Sequence, residues 1–368
     1  MTRFAAALKA RIAVDGPVTV EAFMTAALAH YYGTRDPLGR SGDFVTAPEV
    51  SQIFGELIAL FLLQGWRDQG APRPVQLVEL GPGRGTLMND IRRTLLKAGR
   101  DLAGAAQIHL VEASPALRAK QEALLGPELH WHAGFSTIPR GPLLLVANEF
   151  FDALPVRQLI RAENSWAERC VGLDAEDRFV FVAGQQVPPP PSPPHRGEGG
   201  SAWRCHSEEL PSPLGGGDGG GGALFEISPA REALMTQIAR RIVREGGIAL
   251  IIDYGHLASA PGDTLQAVKS HAYADPLAEP GEADLTAHVD FAALARAAQA
   301  EGARVHGPVT QGAFLNALGL PLRVEALKKN AAGIEDAARR LTSPDQMGTL
   351  FKVMAVTPTD SGVLAGFP

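Results

Sequence analysis

The stretch Val75-Gln-Leu-Val-Glu-Leu-Gly-Pro-Gly-Arg-Gly-Thr-Leu87 decides the fold. Val75, Leu77, Val78 and Leu80 give it the apolar content of a buried strand, and from Thr86 to Lys97 the chain falls on a helical period. Between the two, Gly81, Gly83 and Gly85 stand on alternate positions, so the spacing predicts strand, tight turn and helix start in succession. Glycine there permits positive φ and removes the Cβ that would hold a ligand away from the backbone. The turn then presents free N–H groups at a helix N-terminus, which attracts a phosphate or a carboxylate. The spacing is G-x-G-x-G rather than the G-x-G-x-x-G of dinucleotide binders, and the acid Glu79 stands two residues before the first glycine. That spacing disfavours a dinucleotide-dependent oxidoreductase.

Composition narrows the rest. The 368 residues are 45% hydrophobic and 20% charged, enough for one large or two ordinary domains with a full core. A formal net charge of -6 argues against nucleic acid as the main partner, because neutralising phosphates takes an excess of Lys and Arg. Cys170 and Cys205 show no metal-ligand spacing and make no disulfide framework, so no metal is expected and a reducing cytoplasm is the simpler compartment. The most apolar helical run, Ile53 to Trp66, carries Glu56 and Gln64 and falls short of the ~20 residues that span a bilayer, so no membrane span is expected. Arg3, Lys9 and Arg11 precede the first acid, Asp15, as in organellar transit peptides, but Phe4, Leu8 and Ile12 also make an ordinary helix face.

Taken in order, residues 3–13 and 18–31 read as helices separated by Asp15-Gly-Pro17. A glycine-rich loop without apolar period runs to Phe44, and residues 33–44 are placed as a lid over a ligand. Thr46-Ala-Pro-Glu49 fits a capping box that opens a helix over 47–66. Beyond the glycine turn, Gln107 to Glu112 is a second strand ending in an acid, and Ser114-Pro115 opens the next helix. Leu129 to Ala133 is a weaker third strand, Pro142 to Glu149 a strong fourth, and Ile248 to Tyr254 a fifth after the helix 231–245. Residues 290–301 are helical, 303–306 and 351–356 are strands, and 310–350 form a helical cap between them. The alternation implies an α/β chain with a parallel sheet covered on both faces and its ligand edge at the strands' carboxyl ends. The domain scheme is 1–70 for the N-terminal helices and lid, 71–358 for the core, and 188–222 for a proline- and glycine-rich insertion too poor in apolar residues to order itself.

Several blocks in order resemble one family. Gly42-Asp-Phe-Val-Thr-Ala-Pro-Glu-Val-Ser-Gln-Ile-Phe-Gly55, Val78-Glu-Leu-Gly-Pro-Gly-Arg-Gly-Thr86, Val111-Glu-Ala-Ser-Pro115, Asn148-Glu-Phe-Phe-Asp-Ala-Leu-Pro-Val156, Ile252-Asp-Tyr-Gly255 and Pro280-Gly-Glu-Ala-Asp-Leu-Thr-Ala-His-Val-Asp-Phe291 are similar to the MidA-like family of class I S-adenosylmethionine (SAM) methyltransferases. The resemblance runs from about residue 5 to 356 outside the insertion; Thr264 to His271 is a loose version of the block after the fifth strand. It implies a Rossmann-like, mostly parallel seven-stranded sheet with helices on both faces. It also implies SAM as cofactor, held by Glu79, Gly81, Pro82, Gly83, Gly85, Thr86, Glu112, Ala113, Ser114, Asn148 and Thr46. The family's mitochondrial members are protein arginine methyltransferases needed for assembly of respiratory complex I. They imply a protein substrate such as a complex I subunit, a mitochondrial matrix address in a eukaryote, and compatibility with a homodimer.

The chemistry narrows the acceptor side. A guanidinium is planar and cationic, so carboxylates must orient it. Glu149 and Asp152 are the candidates, one helical turn apart if a helix begins near 149. Asn148 and Glu149 have a blander role as helix caps, Asp253 and Tyr254 as anchors of the turn after the fifth strand, and His288 as a packed or capping histidine. The alternative function is a SAM-binding assembly chaperone that holds its partner without modifying it.

Overall fold

The computed structural model describes residues 2–34, 45–162, 165–190, 224–329 and 331–368. Most of the lid expected over 33–44 and of the insertion expected over 188–222 lies outside these residues.

The chain starts with α1 (Arg3–Asp15), β1 (Val18–Thr19) and α2 (Val20–Thr34). The helix expected over 47–66 is two: α3 (Ala47–Val50) and α4 (Gln52–Asp68), parted by Ser51 in extended conformation, whose hydroxyl caps Ile53 N–H. The capping box does not form either. Thr46 makes no side-chain cap bond, and Glu49 accepts from the Thr86 hydroxyl across the structure. Helix α4 buries Ile53, Phe54, Leu57, Ile58, Phe61, Leu62 and Trp66, each contributing about 1.5–3 kcal/mol by removal from water.

The core continues with β2 (Val75–Leu80), α5 (Thr86–Ala98), α6 (Arg100–Ala103), β3 (Ala106–Val111), α7 (Pro115–Leu125), β4 (His130–His132) and β5 (Leu143–Asn148). A region of irregular sequence period then makes β6 (Arg157–Ala162), β7 (Ser165–Leu173), β8 (Phe179–Val187) and β9 (Leu224–Ile227). After α8 (Pro229–Glu245) come β10 (Gly247–His256), β11 (Gln266–Lys269), β12 (Ala272–Ala274), β13 (Asp284–Thr286), β14 (Val289–Asp290), α9 (Phe291–Ala300) and β15 (Arg304–Thr310). Four helices, α10 (Gln311–Ala317), α11 (Leu320–Leu327), α12 (Ile334–Thr342) and α13 (Met347–Leu350), precede the last strand β16 (Phe351–Thr357).

The central sheet runs β15-β16-β10-β5-β2-β3-β4. Strands β10, β5, β2, β3 and β4 are parallel, whereas β16 runs antiparallel between β10 and β15. It has eight strands rather than the expected seven, because β14 adds a short parallel pairing to the end of β10. Strands β2 and β5 are buried along their whole length, and their alternate residues feed different layers. Val75, Leu77, Leu144 and Val146 pack with α4 and α5, while Val78, Leu80, Leu145 and Ala147 pack with α8 and α9. Both faces being covered is why these strands are apolar without a period of two. Because α5 covers one face and α8 the other, the connections diverge at β2 and β5, which opens a crevice beyond their carboxyl ends.

Two further sheets were not foreseen. Strand β7 pairs antiparallel with β6, β8 and β1, and β9 pairs with β6; β11 is flanked by β12 and β13. They share a third core with α1 and α2, built from Leu8, Ile12, Phe23, Met24, Val171 and Leu285 among others.

Candidate functional site

The chain reverses after β2 through three left-handed glycines, with φ 63° at Gly81, 54° at Gly83 and 85° at Gly85. Other residues rarely adopt that region, which accounts for the alternate-glycine pattern. Gly81 and Gly83 face a cavity of about 620 Å³ at the carboxyl ends of β2, β3 and β5. Gly85 does not line it. Its Cα instead faces Leu125 and Gln121 of α7, and its φ is what starts α5.

Of the predicted site residues, Thr46, Glu79, Gly81, Pro82, Gly83, Thr86, Glu112, Ala113, Ser114, Asn148 and Glu149 line the same cavity. Leu28, Tyr32 and Glu49 from the helices before β2, and Phe135, Phe150 and Leu154 from the segments after β4 and β5, complete it. Sequence reading missed these six as site residues, although Glu49, Phe150 and Leu154 stand within the quoted blocks, because which side chains face a cavity is set by packing. It also missed Gln121, fully buried on α7. The Gln121 amide donates to the Gly83 carbonyl at 2.7 Å and to Glu112 Oε2 at 3.0 Å, and its oxygen accepts from Trp131 Nε1 at 2.9 Å. It therefore holds the glycine turn and the acid of β3 in one register.

Besides Glu49, which accepts from Thr86, three carboxylates line the cavity in different states. Glu112 is tied down, accepting Ser114 N–H at 2.7 Å with Oε1 and Gln121 with Oε2; burial still pushes it above the usual range. The Ser114 hydroxyl caps α7 and donates to the Tyr32 carbonyl, which joins the end of α2 to the cavity rim. Glu79 is 3% exposed and its Oε2 has no partner among the described residues. Burial pushes it up to about 8, against a hydrogen bond from the Met88 backbone and with a further push from Glu112.

Glu149 departs most from expectation. No helix follows β5. Glu149 sits at φ 50°, a conformation that costs a non-glycine residue on the order of 1–2 kcal/mol. Its Oε1 accepts Ala47 N–H at 2.8 Å and the Asn148 amide at 3.0 Å, while no partner is seen for Oε2 among the described residues. Burial raises its carboxyl to about 7. Asp152 therefore does not share a helical face with Glu149, and it lies behind the cavity wall. It is buried, with Oδ2 accepting the Tyr254 hydroxyl at 2.7 Å and Oδ1 without a partner among the described residues. His288 packs edge-on against Tyr254 at 5.6 Å, and burial pushes its imidazole down to about 4, which suits a packed histidine.

Residues 57–309 match the model of a family described as S-adenosyl-L-methionine-dependent methyltransferases. The chain belongs to this family. Its curated relatives include the "Protein arginine methyltransferase NDUFAF7 homolog, mitochondrial" of Drosophila melanogaster, 39% identical over 97% of this chain and 85% of that protein. The human "Protein arginine methyltransferase NDUFAF7, mitochondrial" is 33% identical over 95% of this chain and 83% of its own. Among solved structures, a Burkholderia thailandensis protein crystallised with S-adenosyl-homocysteine superposes with a TM-score of 0.77 at 28% identity, covering 99% of this chain and 94% of that one.

SAM is thus the cofactor of this family member, and the cavity suits it. The glycine turn removes the Cβ atoms that would fill the cradle, and the buried oxygens of Glu79 and Asn148, without partners among the described residues, can accept from a cofactor carrying an ammonium and hydroxyls. No cluster of His, Cys, Asp and Glu suited to a metal and no helix long and apolar enough to cross a membrane is found among the described residues.

The raised Glu79 carboxyl makes binding pH-dependent. Its folded value of about 8 lies above the unfolded one, so the free folded protein holds the extra proton between about 4.5 and 8. Stability from this group consequently falls as pH rises through that window. A cationic ligand favours the ionised form and expels the proton, so affinity for SAM is expected to rise from pH 5.5 to 7.5, at most about tenfold per unit. Calorimetry in buffers of different ionisation heat would show the proton release. Glu79→Gln should flatten the profile; an unchanged slope in that variant would assign the proton elsewhere.

Proposed function

We propose that this protein transfers the SAM methyl group to the guanidinium of an arginine in a protein substrate. The observation that carries the reading is Glu149: one oxygen is fixed by Ala47 and Asn148, and the other has no partner among the described residues, on a residue that lines the cavity. SAM supplies a methyl group already bonded to a good leaving group, so the protein's work is alignment, exclusion of water and handling of a proton. Glu79, Gly81, Pro82, Gly83 and Thr86 hold the cofactor on the turn, with Gly85 and Gln121 fixing its backbone. Glu112, Ala113 and Ser114 take the ribose side, where Glu112 keeps lone pairs for hydroxyls. Asn148 and Thr46 border the methyl side.

Glu149 Oε2 orients the acceptor by a charge-assisted hydrogen bond. As the new N–CH₃ bond forms and the C–S bond breaks, the guanidinium nitrogen loses a proton to Oε2. A carboxyl raised to about 7 is suited to receive it near neutral pH. Asp152 acts from behind the wall through its carbonyl and Tyr254 rather than on the acceptor.

The relatives' names include protein arginine methyltransferase and mitochondrial, and they support this acceptor. A respiratory complex I subunit is the proposed substrate, met in the mitochondrial matrix of a eukaryote or the cytoplasm of a bacterium. Mass spectrometry of the proteome with and without the protein tests this: a methyl-arginine should disappear from such a subunit. A lost methyl on lysine, a carboxylate or a small molecule would overturn the arginine assignment. No lost methyl anywhere, with complex assembly still dependent on the protein, would favour a SAM-binding chaperone.

A further inference from the structure

The turn that carries Glu149 is held by charges that never reach the cavity. Glu149 N–H closes the ladder on the Ile252 carbonyl at 2.9 Å. The next three N–H groups, of Phe150, Phe151 and Asp152, all point at one atom, Asp253 Oδ2, at 3.2, 2.9 and 3.2 Å. Asp253 Oδ1 accepts Tyr254 N–H at 2.9 Å. Successive N–H groups converging in this way form a nest that commonly holds an anionic ligand; here the anion is a side chain of the neighbouring strand.

The carbonyl side is held as well. Arg231, 4% exposed on α8, donates to the carbonyls of Asp152, Ala287 and His288 at 2.8, 3.0 and 2.7 Å, and Ala287 N–H adds a bond to Asp152 O at 3.2 Å. Asp253 is wholly buried, and neither it nor Arg231 lines the cavity. Burying an acid and a guanidinium beneath a short turn is expensive: burial pushes the Asp253 carboxyl up, the N–H groups converging on it and the Arg231 charge oppose that rise, and of the Arg231 nitrogens only Nε lacks a partner among the described residues. The segment they fix holds Glu149 in its left-handed conformation and sets the Phe150 ring against Gly81, where a Cβ would come within 2.6 Å of it.

We propose that Asp253 and Arg231 are positioning residues for methyl transfer, clamping the Phe150–Asp152 backbone so that Glu149 Oε2 stays aimed at the acceptor. The inference rests on the arginine-transfer reading above. Its consequence is specific: loosening the clamp costs the alignment of the acceptor, which affects the rate at saturating cofactor, while the main holds on the cofactor, Glu79, the glycine turn and Glu112, lie on other strands.

The test uses the full chain, SAM labelled on the methyl group and an extract of cells lacking the protein. Asp253→Asn keeps the volume and one acceptor oxygen but removes the charge that three N–H groups share. The maximal labelling rate should fall about 100-fold, with the apparent KM for SAM and the calorimetric Kd for S-adenosylhomocysteine within about threefold of wild type. A rate within threefold of wild type overturns the proposal, and so does a parallel loss of cofactor affinity, which would make Asp253 a general prop of the fold. If thermal melting shows that D253N does not fold, Arg231→Lys decides. It keeps the charge but not the fork that reaches three carbonyls, so a rate loss of about tenfold at unchanged Kd is expected, and an unchanged rate overturns the proposal. Wild-type protein that labels nothing overturns the transfer reading and this inference together; wild-type labelling with a fully active D253N overturns the inference alone.

Discussion

Gly81→Val is expected to lower the affinity for S-adenosylhomocysteine by about 100-fold or more, read by calorimetry. Two costs arise. A valine at φ 63° occupies a region L-residues avoid, on the order of 1–2 kcal/mol and more for a β-branched side chain. Its Cβ would also lie 2.6 Å from Phe150 Cδ2, so either the ring or the turn must move, and both line the cavity. The strain lowers the stability of the fold and the displaced cradle lowers affinity: at about 1.4 kcal/mol per factor of ten, forfeiting about 3 kcal/mol of cofactor contacts gives the expected loss. Gly246→Ala is the control. It too is strained, at φ 83° and ψ 170°, with nothing within 4 Å of the new Cβ, at the end of α8 away from the cavity. It should lower the melting temperature and leave affinity alone. Gly81→Val protein that binds with wild-type strength would show that the turn is not the cofactor's cradle.

Glu149→Gln separates binding from transfer. The amide keeps the volume and one oxygen for Ala47 N–H, so affinity for S-adenosylhomocysteine should stay within about threefold. Methyl transfer should fall about 100- to 1,000-fold, the range for loss of a positioned proton acceptor. The wild-type rate should also rise with pH through about 7, because only the ionised carboxylate can orient a cation and take its proton. Burial raises that value most; Ala47 N–H and Asn148 oppose the rise, as does Arg340 of α12, while Asp152 adds to it. The variant should lose this dependence. If E149Q loses cofactor affinity instead, the carboxylate belongs to the cofactor site, and the acceptor must be sought among Tyr32, Thr46 and Glu49.

The two experiments probe different depths of reading. Val75 to Leu87 determined strand, turn and helix by itself, because a fully buried strand and three alternate glycines are local demands of backbone geometry. The strand ends at Glu79, Glu112 and Asn148 were legible for the same reason: in a parallel sheet the carboxyl ends share an edge, so residues distant in sequence converge without any knowledge of packing. The helix starts at Ser114 and Asp290 were legible from caps, whose bonds span three residues.

What failed were the inferences that gave a side chain a partner within its own segment. Thr46 and Glu49 have the spacing of a capping box, but Thr86 offered Glu49 a better partner across the cavity. Glu149 and Asp152 have helical spacing, but Asp253 draws three successive N–H groups to one oxygen, and that geometry excludes a helix. The antiparallel sheet of β6 to β9 gives a weak pattern because most of β8 and β9 is half-buried at best, so few side chains report a face. Sequence alone therefore determined the fold class and the cofactor edge, which depend on short-range backbone rules. Tertiary structure decided which carboxylate faces the cavity, since a side chain's aim after a strand depends on which buried donors and acceptors lie beneath the turn.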